Sequence, residues 1–378
     1  MAGGLEPELG GTTVAILNYV RSSVAADVES HLLVTVDDPE SAGSRAITQT
    51  LVPHGATVWP VSRTGRFEGR AGRWGMSAPL VWWLMRSASG FDVIVLHGAW
   101  LFSSLAALIA GRITGKPCAM IPHESLTTFD VKKKGSRTRV LAKSVLGRLY
   151  ARSCRLFVFS SDLECRDSLP GGTRARKTVV PCPLFDDSVP LRQRPTIQES
   201  RPLRIGFLGR LDPKKNLNVL IQAMPLVSED VTLVVGGDGH ADFRRGLLEE
   251  AARLGVHNRI EWRGFVDASE KDAFFESIDV LVMPSAYESF GIVAAEAMLR
   301  GVPAIVSPRT GVAALIEQHG GGLIVEPLAE ELASVLSRLD RDRSLMTELA
   351  ARAPEAAAPV SFSHVGSRLR EEYFLLAS

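Results

Sequence analysis

Short apolar runs separated by amphipathic segments dominate the chain, and the rhythm is clearest from residue 201 onward. "LRIGFLG" (203–209), "VTLVVGG" (231–237), "RIEWRGF" (259–265), "DVLVMP" (279–284), "VPAIVS" (302–307) and "GLIVEP" (322–327) read as buried strands. Segments such as "NLNVLIQAM" and "FRRGLLEEAARLG" repeat their apolar positions at helical spacing. Strands alternating with helices predict βαβ units and parallel sheets covered on both faces.

The first half follows the same scheme. Strands are expected at "SHLLVTV" (30–36), "ATVWPV" (56–61), "FDVIVLH" (91–97), "KPCAMIPH" (116–123), "CRLFVFS" (154–160) and "KTVVPCP" (177–183), with helices at 12–26, 102–113 and 136–152. No strand is expected before the first helix. Either the sheet lacks its usual opening strand or the polypeptide starts further upstream. The polar, proline-bearing stretch 188–202 predicts a linker. The expected organisation is a domain over 1–187, the linker 188–202, a second domain over 203–360 and a terminal helix over 361–378 that crosses back to the first domain.

A length of 378 residues fits two domains, and 46% hydrophobic with 22% charged residues describes a globular protein. Apolar runs such as "APLVWWLM" fall short of the roughly 20 residues of a membrane span. The start "MAGGLEPELGG" lacks the basic flank and apolar core of a secretion signal. Cys118, Cys154, Cys165 and Cys182 show no C-x-x-C spacing, so a reducing cytoplasm is expected. Residues 1–200 hold 24 Lys/Arg against 17 Asp/Glu and residues 201–378 hold 19 against 25, so the halves differ in electrostatic character.

In open α/β sheets, ligands bind beyond the carboxyl ends of the strands, so the default site is a cleft between two such domains. "ESFGIVAAEAM" (288–298) follows one strand end. Glu288 is expected in the loop, Gly291 at the start of a helix, and Glu296 in its second turn. The N–H groups of Phe290, Gly291, Ile292 and Val293, next to Ser289, would be first-turn donors aimed at an anion. The alternative is a surface helix with solvated glutamates, against which the apolar "GIVAAEAM" argues.

"GFLGRLDPKKN" (206–216) gathers Arg210, Lys214 and Lys215 after the turn at Gly209, with Asn216 as the expected cap of the next helix. This is a phosphate-holding loop or a solvated basic one. In "VGGDGH" (235–240) Gly237 and Gly239 do not complete a dinucleotide fingerprint, so the junction is a nucleotide contact or a simple turn. "RGFV" (263–266) brings the main chain of Phe265 and Val266 to another strand end, where it can edge a nucleobase. In the first half, His97 and His123 both end strands, and His123 is the stronger candidate. No lipase-type, H-E-x-x-H or P-loop motif occurs, and "DRD" (340–342) reads as a solvent face and not as a metal site.

"GRLDPKK", "GGDG", "RGFV" and above all "ESFGIVAAEAML-RGVPAIVS" resemble the retaining nucleotide-sugar glycosyltransferases of family 4, together with Gly10–Gly11, "LHGAW", "PHES" and "FSHVGSRLREEY". The resemblance implies a GT-B fold, with two Rossmann-like β/α/β domains facing each other across a cleft. It implies that Glu288 contacts the donor sugar, Glu296 the ribose, Arg210 and Lys215 the diphosphate, His123 the reacting sugar and Gly11 the leaving phosphate. Pro181-Cys182-Pro183 and "PHES" depart from the family's usual P-N-G and P-H-G.

The expected reaction moves a sugar from a nucleoside-diphosphate donor, with UDP as the expected base, to a hydroxyl of a saccharide or lipid-linked acceptor. Configuration is retained and no metal or other cofactor is required. A non-catalytic sugar-nucleotide binder and a Rossmann-type oxidoreductase are the competing readings. The second lacks its completed glycine fingerprint. Residues 130–155 carry nine cations against Asp130, which reads as a peripheral contact with anionic lipid at the inner membrane face, or as a solvated helix. No nucleic-acid partner is expected.

Overall fold

A computed structural model describes residues 2–3, 11–64, 75–132, 137–168, 173–187 and 201–378. The chain divides into two compact units, Met1–Ser188 with Val360–Ser378, and Val189–Pro359. Of the expected linker 188–202, all but Arg201 and Pro202 lies outside the described residues.

The first unit holds β1 (Ala2–Gly3), β2 (His31–Val36), β3 (Thr57–Ser62), β4 (Ile94–His97), β5 (Cys118–Ile121), β6 (Leu156–Phe159) and β7 (Arg176–Val179). They form two parallel sheets, ordered β1-β2-β3 and β4-β5-β6-β7. A strand therefore does precede the first helix, contrary to expectation. β1 pairs Ala2 with Val34 and Gly3 with Thr35. Two small residues give no apolar run from which a strand could be read. Two other strands end earlier than their apolar runs. β7 stops at Val179 because Pro181 and Pro183 have no N–H for a ladder. β5 stops at Ile121 because Pro122 leads into a turn where His123 takes a positive φ.

β5 and β6 are buried along their whole length, as strands covered on both faces should be. Their side chains Met120 and Phe157 join Leu96 and Tyr150 in the larger core of the unit, while Ile16, Leu32, Val34 and Leu51 make a smaller one. The tail helix Phe362–Ala377 lies on the first helix, Gly11–Ala25. A Cβ at Gly366 would stand 2.0 Å from the Ser22 carbonyl oxygen, so only glycine lets the two backbones approach this closely. Leu184 N–H donates to Val360 O at 2.8 Å and Phe362 N–H to Phe185 O at 2.9 Å, which seats the start of the tail.

The second unit is one parallel sheet of β8 (Arg204–Leu208), β9 (Thr232–Gly236), β10 (Ile260–Gly264), β11 (Val280–Met283), β12 (Ala304–Val306) and β13 (Gly322–Ile324). The spatial order is β10-β9-β8-β11-β12-β13. The direction of strand addition reverses between β8 and β11. Loops leaving a doubly wound sheet on opposite sides of such a point part and leave room for a ligand. Here the loops at that point are 209–216 and 284–291, and they are tied to each other along one edge. The "DRD" stretch does not lie within one helix: Asp342 caps the helix Arg343–Ala356 through Leu345 N–H at 3.0 Å, and Asp340 pairs with Arg343.

Candidate functional site

Because β8 and β11 are neighbours, the loops that follow them are bound together. Asp212 accepts the Lys214 N–H at 2.9 Å and shapes a tight 3-10 turn over Pro213–Lys215. Ala286 N–H donates to Lys214 O at 2.8 Å. Asn216 was the expected helix cap, but its backbone is left-handed and its amide instead donates to Pro284 O at 3.0 Å. The amide serves the neighbouring loop in place of its own helix.

This stitching sets Lys215 Nζ 2.7 Å from Glu288 Oε1, with the two side chains 18% and 14% exposed. Burial pushes the Glu288 carboxyl up, but Lys215 and then Lys214 outweigh it and hold it below the usual range. The Glu288 main chain is fixed as well. Its N–H donates to Arg309 O at 2.9 Å and its carbonyl accepts from Gly311 N–H at 3.0 Å.

Beyond Ser289, the Phe290 ring is buried and Gly291 turns at φ 103° into the helix Ile292–Leu299. A side chain at Gly291 would meet Met283 Cε at 2.8 Å and Val312 Cγ1 at 3.1 Å. The N–H groups of Phe290, Gly291, Ile292 and Val293 find no acceptor among the described residues. Four free donors at a helix start beside a lysine form an anion-binding arrangement.

The other junctions are close by in the sheet. A Cβ at Gly237 would fall 1.9 Å from Gly209 O, and Gly237 N–H donates to Gly264 O at 2.6 Å. The turns after β8, β9 and β10 therefore touch through bare backbone. Phe265 projects from the last of them, 70% exposed, while Val266 packs toward Gly236.

Arg210 is exposed and has no carboxylate partner among the described residues, so it does not join the Lys215–Glu288 pair. Glu296 belongs to a separate pair. Lys271 Nζ reaches both its oxygens, at 2.6 and 2.8 Å. The sequence reading missed Lys271. It opens the short helix Lys271–Glu276, 25 positions away, and no motif marks it.

In the first unit, β4 and β5 run side by side with His97 opposite Ile121. His97 Nδ1 and His123 Nε2 lie 2.9 Å apart, and the rings stack at 5.2 Å. Tyr19 meets His123 edge-on at 5.8 Å and donates its hydroxyl to Val180 O at 3.2 Å. Burial holds the His123 imidazole down at about 4 and that of His97 well below its ordinary value. Both rings are therefore neutral near pH 7, and one donates to the other.

His123 and Glu124 both adopt positive φ, 50° and 70°, which non-glycine residues seldom do. A second residue that the sequence reading missed, Glu164, holds this turn. Its Oε1 accepts Glu124 N–H at 2.5 Å, and its Oε2 accepts Ser160 N–H at 2.8 Å and Ser160 Oγ–H at 2.7 Å. Gly11, exposed, opens the first helix. The Pro181-Cys182-Pro183 loop docks on that helix, where Asn18 Nδ2 donates to Pro183 O at 3.0 Å. In the basic segment, Lys133 and Lys134 lie outside the described residues, and Lys143 is bound to Asp130 at 2.6 Å.

Residues 10–183 match the family model of the glycosyl transferase 4-like domain, and residues 191–357 match that of the glycosyl transferases group 1. The D-inositol 3-phosphate glycosyltransferase of Corynebacterium urealyticum is 30% identical over 308 residues, covering 75% of this chain and 71% of that protein. The chain belongs to the group 1 glycosyltransferases. This is a family of transferase enzymes. An uncharacterized glycosyltransferase of Methanocaldococcus jannaschii is 36% identical over 145 residues, which are 38% of this chain and 36% of that protein. This chain thus spans about a third of the length of that relative. Among solved structures, Anabaena HepE in complex with UDP and glucose superposes with a TM-score of 0.74 at 22% identity, covering 98% of each chain. With two parallel α/β units, the fold is GT-B.

Proposed function

We propose that this glycosyltransferase moves a sugar from a nucleoside-diphosphate donor, with UDP as the base, to a hydroxyl of a saccharide or lipid-linked acceptor with retained configuration. One observation carries the reading. The Lys215–Glu288 pair stands beside the four unpartnered N–H groups at 290–293, so an anion and a polyhydroxyl group can be held side by side.

Breaking the sugar–phosphate bond leaves negative charge on the diphosphate. Lys215, the exposed Arg210 and the helix start at Gly291 stabilise that charge, and no divalent ion is required. Glu288, kept ionised by Lys215, accepts hydrogen bonds from the sugar hydroxyls. Glu296, oriented by Lys271, accepts those of the ribose. The main chain at Phe265 and Val266 edges the base. In the first unit, His123 is assigned to the reacting sugar and Gly11 to the leaving phosphate. The UDP complex of the HepE relative supports the choice of base. Cys118, Cys154 and Cys165 form no disulfide among the described residues, which supports a cytoplasmic setting.

The test is a thermal-shift series with UDP-, GDP- and ADP-sugars, repeated with a chelator. Stabilisation by a UDP-sugar that survives chelation, and is lost in Gly291→Ala, supports the reading. No shift with any nucleotide would sink it. Proton spectra of the product give the anomer, and an inverted product would remove the retaining mechanism.

A further inference from the structure

Three neighbouring helices of the first unit turn large apolar side chains to solvent. The helix Ala78–Ser87 exposes Trp82 at 62% and Met85 at 75%. The helix Phe102–Thr114 exposes Ile109 at 49% and Ile113 at 75%. The helix Arg137–Ser153 exposes Leu141 at 63% and Val145 at 54%. Within each pair the spacing is three or four residues, so both members share one helix face. The opposite faces supply the core through Leu80, Leu108 and Tyr150, so the exposed residues are not needed to hold the sheet.

These faces adjoin. The first helix packs on the second and the second on the third, and Arg112 Nη1 donates to Ser153 Oγ at 2.9 Å across the latter contact. The second and third helices connect β4 to β5 and β5 to β6. Right-handed crossovers in one direction put both on the same side of the sheet. Isolated exposed apolar residues are ordinary in a folded protein. A run of them over three adjacent helices marks an interaction surface.

The charge on the face identifies the occupant. The Arg86 guanidinium lies 5.0 Å from the Trp82 ring, and Arg112, Arg148 and Arg152 are exposed among the aliphatic residues. Between residues 78 and 155 the only acids are Asp92, Glu124 and Asp130, and Lys143 neutralises the last. We infer that this face docks on a bilayer surface rich in anionic lipid, with Trp82, Met85 and the aliphatic pairs at acyl depth and the arginines at the phosphates. A second copy of the same face would oppose arginines to arginines with no acid between them. This face does not depend on the donor reading.

The test is flotation of the full chain with vesicles of phosphatidylcholine alone, or of equal parts phosphatidylcholine and phosphatidylglycerol. Binding is expected to the mixed vesicles, weakening about tenfold as salt rises. Ile113→Ser with Leu141→Ser, and separately Arg148→Glu with Arg152→Glu, should each lower partition at least about tenfold. Both pairs should leave the nucleotide thermal shift unchanged. If the apolar pair lowers the melting temperature, the exposed arginine pair still decides the matter. Equal binding to neutral vesicles, no flotation at low salt, or self-association abolished by the same substitutions would overturn the inference.

Discussion

Lys215 and Glu288 form a 2.7 Å ion pair between the loops that leave the adjacent strands β8 and β11, with both side chains largely buried. Neither group was placed there for stability alone, since a buried pair contributes little over an apolar one. Removing one partner is different. Lys215→Ala should lower the unfolding free energy by about 3 kcal/mol, because it strands a buried carboxylate. Lys215→Met with Glu288→Leu should regain much of that loss in urea titrations yet bind no donor by calorimetry. Equal stability of the single and double variants would refute the account.

Acid should destabilise the first unit before it reaches the carboxylates of the second. His123 has its folded-state value pushed down to about 4 by burial, with His97 lowered as well. Above the unfolded value near 6.5 both rings are neutral in either state, and the contribution is fully present. Between about 6.5 and 4 the unfolded chain takes up protons that the folded chain refuses, so stability falls as pH falls. Glu288 acts lower, since its depressed carboxyl loses its contribution only below the ordinary carboxylate range. Melting temperatures between pH 7 and 4 should slope downward in the native chain and flatten in His97→Gln with His123→Gln.

Two alanine substitutions at glycine should have opposite signs. At Gly237 a Cβ would sit 1.9 Å from Gly209 O at φ 135°, so Gly237→Ala must separate two loop backbones. A loss above about 3 kcal/mol, or no soluble protein, is expected. At Gly246, inside the helix Ala241–Arg253, a Cβ meets nothing within 4 Å. Gly246→Ala should add about 0.5–1 kcal/mol.

Glu164 should matter to His123 without touching it. Glu164→Ala removes the acceptor that Glu164 offers to Glu124 N–H and to both Ser160 donors. Movement of the His97 and His123 ring resonances is expected, with activity lost in step. Glu164→Gln keeps the shape and one good acceptor, so it should recover part of both. Unmoved ring resonances in Glu164→Ala would show that the turn holds itself.

The apolar runs located twelve of the thirteen strands among the described residues, most plainly those buried on both faces, such as β5 and β6, whose residues are all apolar. The exception, Ala2–Gly3, carries no such signature. Glu288, Lys215 and Gly291 were visible because their local motif is dense and sits at a strand end. Lys271 and Glu164 were not. Lys271 meets its partner only when two helices 25 residues apart come together. Glu164, in "SSDLEC", looks like any acid in the first turn of a short helix until the fold closes over it. His97 and His123 were legible singly, but their hydrogen bond depends on strand pairing.

The close crossing of the tail helix on the first helix has a temporal consequence. A ribosome releases residues 11–25 long before 362–377, so the side of the first helix that Gly366 lets the tail approach stays wet until the tail emerges. The second unit is a continuous stretch of chain and can close before the unit that began first.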